Sequence, residues 1–82
     1  AANELLNIKG IKASFICTEY RGMVYVSARS IDEVNVQIIM EKLGGGGHYS
    51  AAAAQIQNAT IDVVKTELLR LLDLYIREIS VE

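Results

Sequence analysis

The chain has 82 residues, of which 51% are hydrophobic and 22% are charged, and its net charge at pH 7 is −2. A chain of this length forms one small domain, and its hydrophobic content excludes an intrinsically disordered protein. The slightly acidic balance argues against binding nucleic acid through a broad basic surface, although it is compatible with one focused site for a short, charged nucleotide.

Cysteine and histidine each occur once, as Cys17 and His48, which excludes an internal disulfide and a zinc site built from several such residues. No hydrophobic run approaches the roughly 20 residues of a membrane-spanning helix. We therefore expect a cytoplasmic domain whose own residues do not contact a membrane. The chain starts without methionine and inside an apparently helical pattern. We expect residues 1–82 to be a single domain and a segment of a larger protein.

The first part of the chain predicts a helix end followed by two strands. Residues 2–9 are typical of the last turns of a helix, with Gly10 as the C-terminal stop. Apolar and polar residues alternate along 11–19, apart from Ile16, and a second strand is expected at 23–29. These two segments are predicted to be strands that form an antiparallel hairpin.

A second helix is predicted at about 32–43. Ser30 and Glu33 have the spacing of a capping box, which marks the start of a helix. Val34 and Ile38 lie on a different side from the main apolar stripe, so this helix is expected to contact a second surface besides the sheet. The main stripe is Val36, Ile39, Met40 and Leu43.

The second half of the chain begins with a glycine-rich loop at 44–48. Residues 48–54 are predicted to start a short helix that continues into a strand at 55–57. Thr60 supplies N-cap chemistry for a long amphipathic helix at 61–79. The resulting order, α-β-β-α-loop-β-α, predicts a small single α/β domain with a mixed β-sheet flanked by helices.

The glycine-rich loop is the best candidate for a binding site. Glycine reaches positive φ without strain and leaves the backbone open, so successive N–H groups can form a concave site for an anion. The loop lacks the Gly-Lys-Ser/Thr ending of a P-loop, and it follows a helix where a dinucleotide-binding fingerprint requires a strand. A flexible linker is the alternative. The candidate residues are Gly44, Gly45, Gly46, Gly47 and His48.

A few side chains outside the glycines complete the candidate site. Arg29 ends the second predicted strand, and its forked donors match a phosphate group; the alternative is a solvated charge. His48 can donate to a phosphate oxygen, and Tyr49 is equally suited to stacking on a base or to packing. For Ser27 we favour a structural role, and Cys17 is expected to be buried and inert. No catalytic residue and no metal site are predicted in this chain.

The sequence resembles the DHH-associated domain, the C-terminal partner of DHH-family phosphoesterases. The resemblance covers about residues 10–79. Within the family it is most similar to cyclic-di-AMP phosphodiesterases of Gram-positive bacteria, through residues 7–10 and 13–15. The segments that carry it are Val26-Ser27-Ala28-Arg29-Ser30, Val34-Asn35-Val36, the glycine–histidine run and Ala51 to Ala54.

The resemblance implies a division of labour between two domains of one protein. A separate DHH domain would hold manganese ions and hydrolyse the cyclic dinucleotide to a linear one. This chain would grip the substrate through residues 44–48 and Arg29, and it would itself need no cofactor. The implied partners are a cyclic dinucleotide or short oligonucleotide and the DHH domain. A homodimer through the Val34/Ile38 side and the last helix stays open. The resemblance also implies a signalling role and allows a membrane-anchored parent protein.

Two other functions remain open from the sequence. The same loop occurs in nanoRNA exonucleases and polyphosphatases, which act on other substrates. An RNA-binding appendage like the C-terminal domain of alanyl-tRNA synthetase also carries a similar glycine-rich element, although the acidic balance weighs against it.

Overall fold

The computed structural model describes residues 2–7, 12–31 and 34–80. Within these ranges the elements follow in the order β-β-β-α-β-β-α. They form one five-stranded sheet with the strand order β1-β2-β3-β5-β4, and each pair of neighbouring strands is antiparallel. The elements are β1 (Ala2–Asn7), β2 (Ala13–Tyr20), β3 (Met23–Ser30), α1 (Val36–Lys42), β4 (Gly46–Gly47), β5 (Ala51–Gln57) and α2 (Ile61–Ser80).

The predicted fold class, a small α/β domain with helices against a sheet, is confirmed, but the first element and the type of sheet differ from the prediction. The segment expected to end a helix is the strand β1, which pairs with β2 from Ala2 opposite Glu19 to Asn7 opposite Ser14. Gly10, the expected helix stop, lies outside the described residues. The sheet is antiparallel and not mixed.

The hairpin of β2 and β3 was predicted correctly. Its two-residue turn consists of Arg21 and Gly22, with φ of 52° and 76°. Positive φ at both central residues is the requirement of a type I′ turn, whose twist matches that of the flanking strands. The turn sets Tyr20 opposite Met23 and so fixes the register of the whole hairpin.

One face of the sheet is covered by the two helices, and the other is open. Residues along β2, β3 and β5 alternate between buried and more exposed positions, as the two-residue period of a strand requires. The buried side chains of the three strands and both helices form one cluster. Its strand members are Ala13, Phe15, Cys17, Val24, Val26, Ala28, Ala52 and Ala54.

Helix α1 starts later than the capping-box spacing predicts. Ser30 belongs to β3, and Glu33 lies outside the described residues, so the expected cap is wrong. Asn35 is the N-cap, and its side chain accepts hydrogen bonds from the N–H groups of Gln37 and Ile38. Of the predicted stripe, Leu43 is half-buried and the other three members are fully buried.

Helix α2 agrees with its prediction. The Thr60 hydroxyl accepts a hydrogen bond from the N–H of Val63 at 3.3 Å, as an N-cap does. Near the other end, the hydroxyl of Tyr75 accepts a bond from the N–H of Asn35 at 3.1 Å, which fastens α2 to the start of α1. Neither helix has the length and apolar character required to span a bilayer within the described residues. The buried stripe of α2 is Ile61, Val64, Leu68, Leu71 and Leu72.

Candidate functional site

The first glycine of the run ends helix α1. Gly44 has φ of 88°, which glycine adopts without strain. The N–H of Gly44 donates to the carbonyl of Glu41 at 3.0 Å, and the N–H of Gly45 donates to the carbonyl of Met40 at 2.8 Å. These two bonds form a Schellman motif, which satisfies carbonyls at the end of a helix. Gly44 therefore has a structural role in the chain reversal.

Two further glycines allow the backbone of β4 to approach β5 closely. A Cβ atom at Gly45 would lie 2.1 Å from the carbonyl oxygen of Ala53, and one at Gly47 would lie 2.5 Å from the Cα of Ala52. Both distances are shorter than any real van der Waals contact, and the obstacles are backbone atoms that cannot rotate away. Gly47 also has φ of 146°, which side chains disfavour. These glycines are required by the packing of the hairpin.

The β4–β5 hairpin replaces the short helix that was predicted at 48–54. His48 and Ala51 exchange both backbone hydrogen bonds, at 2.7 and 3.3 Å. The turn is also tied to the rest of the domain. The carbonyl of Tyr49 accepts from the N–H of Val36 at 3.1 Å, and the carbonyl of Ser50 accepts from the N–H of Ser30 at 2.9 Å. The glycine-rich segment is thus held in place at both ends, unlike a flexible linker.

Gly46 is the glycine for which the fold gives no steric reason. A Cβ atom placed on it would meet nothing within 4 Å. Its register partner is Ala53, whose own partner on β3 is Ser27, and these residues lie on the open face of the sheet. The missing side chain therefore leaves space above the open face.

That space is part of a shallow groove of about 280 Å³ on the open face. Arg29 lies at one side, in register with Ala51, and the glycines of β4 lie at the other. Two strand intervals separate Arg29 from β4, which is roughly 10 Å, so the arginine and the glycines form opposite sides of the groove. The groove is lined by Ser27, Ala28, Arg29, Gly46, Gly47, Ala51, Ala52 and Ala53.

The backbone N–H groups of the run are mostly engaged within the chain. Those of Gly44, Gly45 and His48 donate to backbone carbonyls. An antiparallel ladder alternates between residue pairs that exchange two hydrogen bonds and pairs that exchange none. Because His48 and Ala51 exchange both, the next pair, Gly47 and Ala52, exchanges none. The N–H of Gly47 therefore points to the free edge of β4, and a nest of successive amides as expected from the sequence does not form.

The candidate residues fall into three groups by position. Arg29, Gly46 and Gly47 line the groove on the open face. Gly44 and Gly45 line a neighbouring groove of about 370 Å³ together with Ala53, Ala54 and Gln55. His48 follows Gly47 at the exposed turn, and it lines neither groove.

Sequence reasoning missed the part that the alanine run plays in this groove. In the structure Ala52 and Ala54 are buried under the helices, whereas Ala51 and Ala53 form the floor of the groove. The period of two would have revealed this, had the segment been predicted as a strand. Ser27, for which a structural role was favoured, lines the same groove.

The thiol of Cys17 is not suited to act as a nucleophile. Cys17 is fully buried, and burial raises the pKa of its thiol, with the negative charge of Glu4 acting in the same direction. Such a thiol is a poor nucleophile. Among the described residues, no group of three or more His, Cys, Asp or Glu side chains is arranged to hold a metal ion.

Fold and groove together define a small two-layer α/β domain with an open sheet face and a glycine hairpin at its edge. Residues 1–78 match the DHHA1 domain family. The chain is 45% identical over 76 residues to the cyclic-di-AMP phosphodiesterase PdeA of Listeria monocytogenes, covering 92% of this chain and 12% of that protein. It is 47% identical over 68 residues to the cyclic-di-AMP phosphodiesterase GdpP of Geobacillus thermodenitrificans, covering 82% of this chain and 10% of that protein. The A-adding tRNA nucleotidyltransferase of Aquifex aeolicus is 37% identical over 68 residues, which are 82% of this chain and 8% of the enzyme.

The chain therefore belongs to the DHHA1 domain family, and the resemblance noted from the sequence is confirmed. It spans about a tenth of the length of the curated relatives it matches.

Proposed function

We propose that this domain binds the substrate of a phosphodiesterase that hydrolyses cyclic-di-AMP to a linear dinucleotide. The proposed site is the groove on the open sheet face, with Arg29 on one side and Gly46 and Gly47 on the other. The relatives whose names state this activity support the choice of substrate.

The observation that carries the proposal is the open position of Gly46 beside an arginine. The fold explains Gly44 by its φ, and it explains Gly45 and Gly47 by their contacts with β5, but it does not require glycine at 46. A residue without a side chain at that point keeps the groove accessible. We infer that a ligand occupies the space.

The groups around this space suit a phosphate. Arg29 offers planar, forked donors with a permanent positive charge. The N–H of Gly47 points to the free edge of the sheet, where a phosphate oxygen can accept it. The hydroxyl of Ser27 adds a neutral donor from the same face. We propose that His48, next to this edge, contacts the base or a second phosphate, and that Gly44 and Gly45 line an extension of the site.

The small volume of the groove favours a binding site that lies between this domain and a second one. Its volume of about 280 Å³ lies just below the 300–1,000 Å³ that is usual for small-molecule sites. We propose that a DHH catalytic domain of the same protein forms the opposite wall. We propose that manganese is held by that domain and not by this one. Bound manganese would supply the activated water for phosphodiester hydrolysis.

We propose that this hydrolysis takes place in the cytoplasm, in a signalling protein that a separate segment can anchor to the membrane.

The proposal is tested by titrating the isotopically labelled chain with cyclic-di-AMP and following its amide chemical shifts. We expect the Ser27, Arg29, Gly46, Gly47 and His48 amides to move, with weak affinity because half of the cleft is absent. Gly46→Val should fill the groove and raise the dissociation constant by at least about tenfold, since its side chain would replace ligand volume at a position where a Cβ atom meets nothing within 4 Å. Arg29→Gln should have a similar effect through the loss of a charged donor.

Two control variants separate site effects from general ones. Gly22→Asn changes a glycine at a turn whose positive φ asparagine tolerates. Arg70→Gln removes an exposed arginine on α2 that pairs with Glu67. Both should bind as the unmodified chain does. If cyclic-di-AMP moves amides elsewhere and leaves those of the groove unchanged, the proposed site is wrong.

A second candidate function is contact with RNA. The relatives named as A-adding tRNA nucleotidyltransferases favour it, since they show that the domain occurs in enzymes that act on tRNA. A nanoRNA exonuclease or polyphosphatase would use the same groove with other substrates. Parallel titrations with cyclic-di-AMP, a short oligoribonucleotide, polyphosphate and tRNA decide among them. Tighter binding of any of the last three would replace cyclic-di-AMP as the substrate.

A further inference from the structure

The outer edge of β1 is open in the described part of the chain. β1 pairs with β2 on one side, and no described strand lies on its other side. Edge strands are usually protected against pairing by charged side chains, above all lysine, by proline, by a bulge or by a very short length. The six residues of β1, Ala-Asn-Glu-Leu-Leu-Asn, contain neither lysine nor proline and pair with β2 without a bulge. Their one charged residue, Glu4, forms an ion pair with Lys65 of the same chain. The sheet can therefore be extended at this edge.

The register of the sheet determines which backbone groups face outward. Tyr20 and Met23 flank the two-residue turn, so they exchange both hydrogen bonds, and even-numbered residues of β2 bond to β3. Odd-numbered residues of β2 consequently bond to β1. Their partners there are even-numbered, for example Glu4 opposite Cys17. The N–H and C=O groups of Asn3 and Leu5 thus point away from the sheet.

We infer that β1 pairs antiparallel with β1 of a second copy of this chain, with Leu5 on the two-fold axis. In this register the outward groups of Leu5 bond to those of Leu5 of the second copy, and Asn3 lies opposite Asn7. Glu4 then lies opposite Leu6. Shifting the pairing by two residues would place Glu4 directly opposite Glu4 of the second copy, and opposed like charges destabilise a sheet.

The side chains at the centre of this pairing are apolar and exposed in the single chain. Leu5 is 58% exposed, and its neighbour Ile16 on β2 is 46% exposed, both on the open face. Pairing forms a row of Ile16, Leu5, Leu5 and Ile16 across the axis. Each leucine then covers the other, which removes apolar surface from water at the point where the backbones bond.

Helix α2 adds a second contact on the covered face. The Lys65 ammonium group donates to the carboxylate of Glu4 at 2.5 Å, so this flank of α2 lies beside β1. Leu69, one turn further along the same flank, is 42% exposed. A two-fold axis perpendicular to the sheet places both helical layers on the same side. The α2 helices of the two copies then flank the axis with Leu69 turned towards it, and Glu4, bonded to Lys65, lies opposite Leu6 of the second copy and not opposite a second carboxylate.

Sedimentation of the unmodified chain across micromolar to millimolar concentrations tests the inference first, with a reversible dimer as the expected result. Leu5→Lys should raise the dimer dissociation constant by at least about a hundredfold, because each dimer loses two covered leucines and gains a directly opposed pair of like charges. Ile38→Lys is the matched control, since Ile38 is 42% exposed on α1, away from the edge. It also tests dimerisation through the Val34/Ile38 side.

Two variants of the axial residue give a signature that only this register produces. Leu5→Glu alone should be monomeric like Leu5→Lys, and an equal mixture of the two should form a heterodimer through the opposed charges. Leu5→Cys should crosslink to its own copy under oxidation, because opposed bonded residues have Cα atoms about 5.5 Å apart, a distance suited to a disulfide. Asn3→Cys should not crosslink. A chain that stays monomeric at millimolar concentration, a dimer broken by Ile38→Lys and not by Leu5→Lys, or crosslinking of Asn3→Cys alone would refute the inference.

Discussion

Replacing Gly47 by alanine should destabilise the domain far more than the same change at the adjacent glycine. A Cβ atom at Gly47 would lie 2.5 Å from the Cα of Ala52 and 2.7 Å from the carbonyl oxygen of Ala51. Both obstacles are backbone atoms, so the clash is relieved only if β4 moves away from β5. The φ of 146° adds strain of its own. Unfavourable φ and overpacking each cost about 1–3 kcal/mol, so we expect a loss of about 2–6 kcal/mol in the free energy of unfolding.

Gly46→Ala is the matched comparison. Its Cβ atom would have nothing within 4 Å, and its backbone does not have a positive φ. We expect no loss, or a gain of up to about 1 kcal/mol from reduced freedom of the unfolded chain.

Urea unfolding of the two variants measures the difference. A slope of about 1 kcal/mol per molar urea is usual for so small a domain, so the midpoint of Gly47→Ala should fall by about 2 M or more. Hydrogen exchange locates the cause. The amide of His48, which donates to Ala51 at 2.7 Å, should lose protection in Gly47→Ala and keep it in Gly46→Ala. Equal urea midpoints for the two variants would show that close approach of β4 to β5 does not require glycine at 47.

Three further predictions concern other parts of the fold. Asn35→Ala should lower the free energy of unfolding by about 1 kcal/mol in urea titrations, because two N–H groups at the start of α1 lose their acceptor; an unchanged midpoint would exclude Asn35 as the cap. The carboxylate of Glu4 raises the pKa of Lys65 above its usual value, chiefly through their hydrogen bond. A raised folded-state pKa stabilises the fold below the unfolded pKa of lysine, and this contribution is lost as pH rises through the folded pKa. Unfolding midpoints should thus fall more steeply at alkaline pH in the unmodified chain than in Glu4→Gln, and parallel pH profiles would argue against the pair. Finally, burial raises the pKa of Cys17, so its reaction with a thiol reagent should be slow and follow unfolding; rapid reaction under native conditions would contradict its burial.

The sequence predicted well wherever local chemistry and tertiary packing favour the same structure. The two-residue period of β2 and β3, the glycine in their turn and the stripe of α2 are all local signals, and each matches the structure. The buried members of the α1 stripe were likewise predicted. These patterns follow from the need to cover one face of each element.

The failures occurred where packing decides against local preference. Four of the six residues of β1 (one alanine, one glutamate and two leucines) favour helices, and the segment becomes a strand because β2 offers a free edge. The alanines of β5 also favour a helix. They form a strand because β3 and β4 pair with them on both sides, and small side chains leave room for the glycines.

The candidate site was predicted as a set of residues but not as a geometry. The sequence grouped Arg29 with all four glycines, whereas in the structure Arg29 lines one groove with Gly46 and Gly47, and Gly44 and Gly45 line a neighbouring one. It could not reveal that the four consecutive glycines have three different roles: Gly44 ends a helix, Gly45 and Gly47 allow close packing, and Gly46 leaves open space. Nor could it show that strand β5 lies between Arg29 and β4, since strand order depends on contacts distant in sequence.

The anchoring of the β4–β5 turn changes what ligand binding requires of this segment. Four consecutive glycines have more conformational freedom in an unfolded chain than any other tetrapeptide, and ordering them carries a large entropy cost. The carbonyls of Tyr49 and Ser50 accept hydrogen bonds from the N–H groups of Val36 and Ser30. The glycines are therefore ordered, and their entropy is lost, when the domain folds. A ligand of the proposed site would meet a groove already in position, so its affinity would depend on contacts and not on loop ordering. Backbone order parameters along 44–48 should accordingly be high in the free chain and change little when the groove is filled.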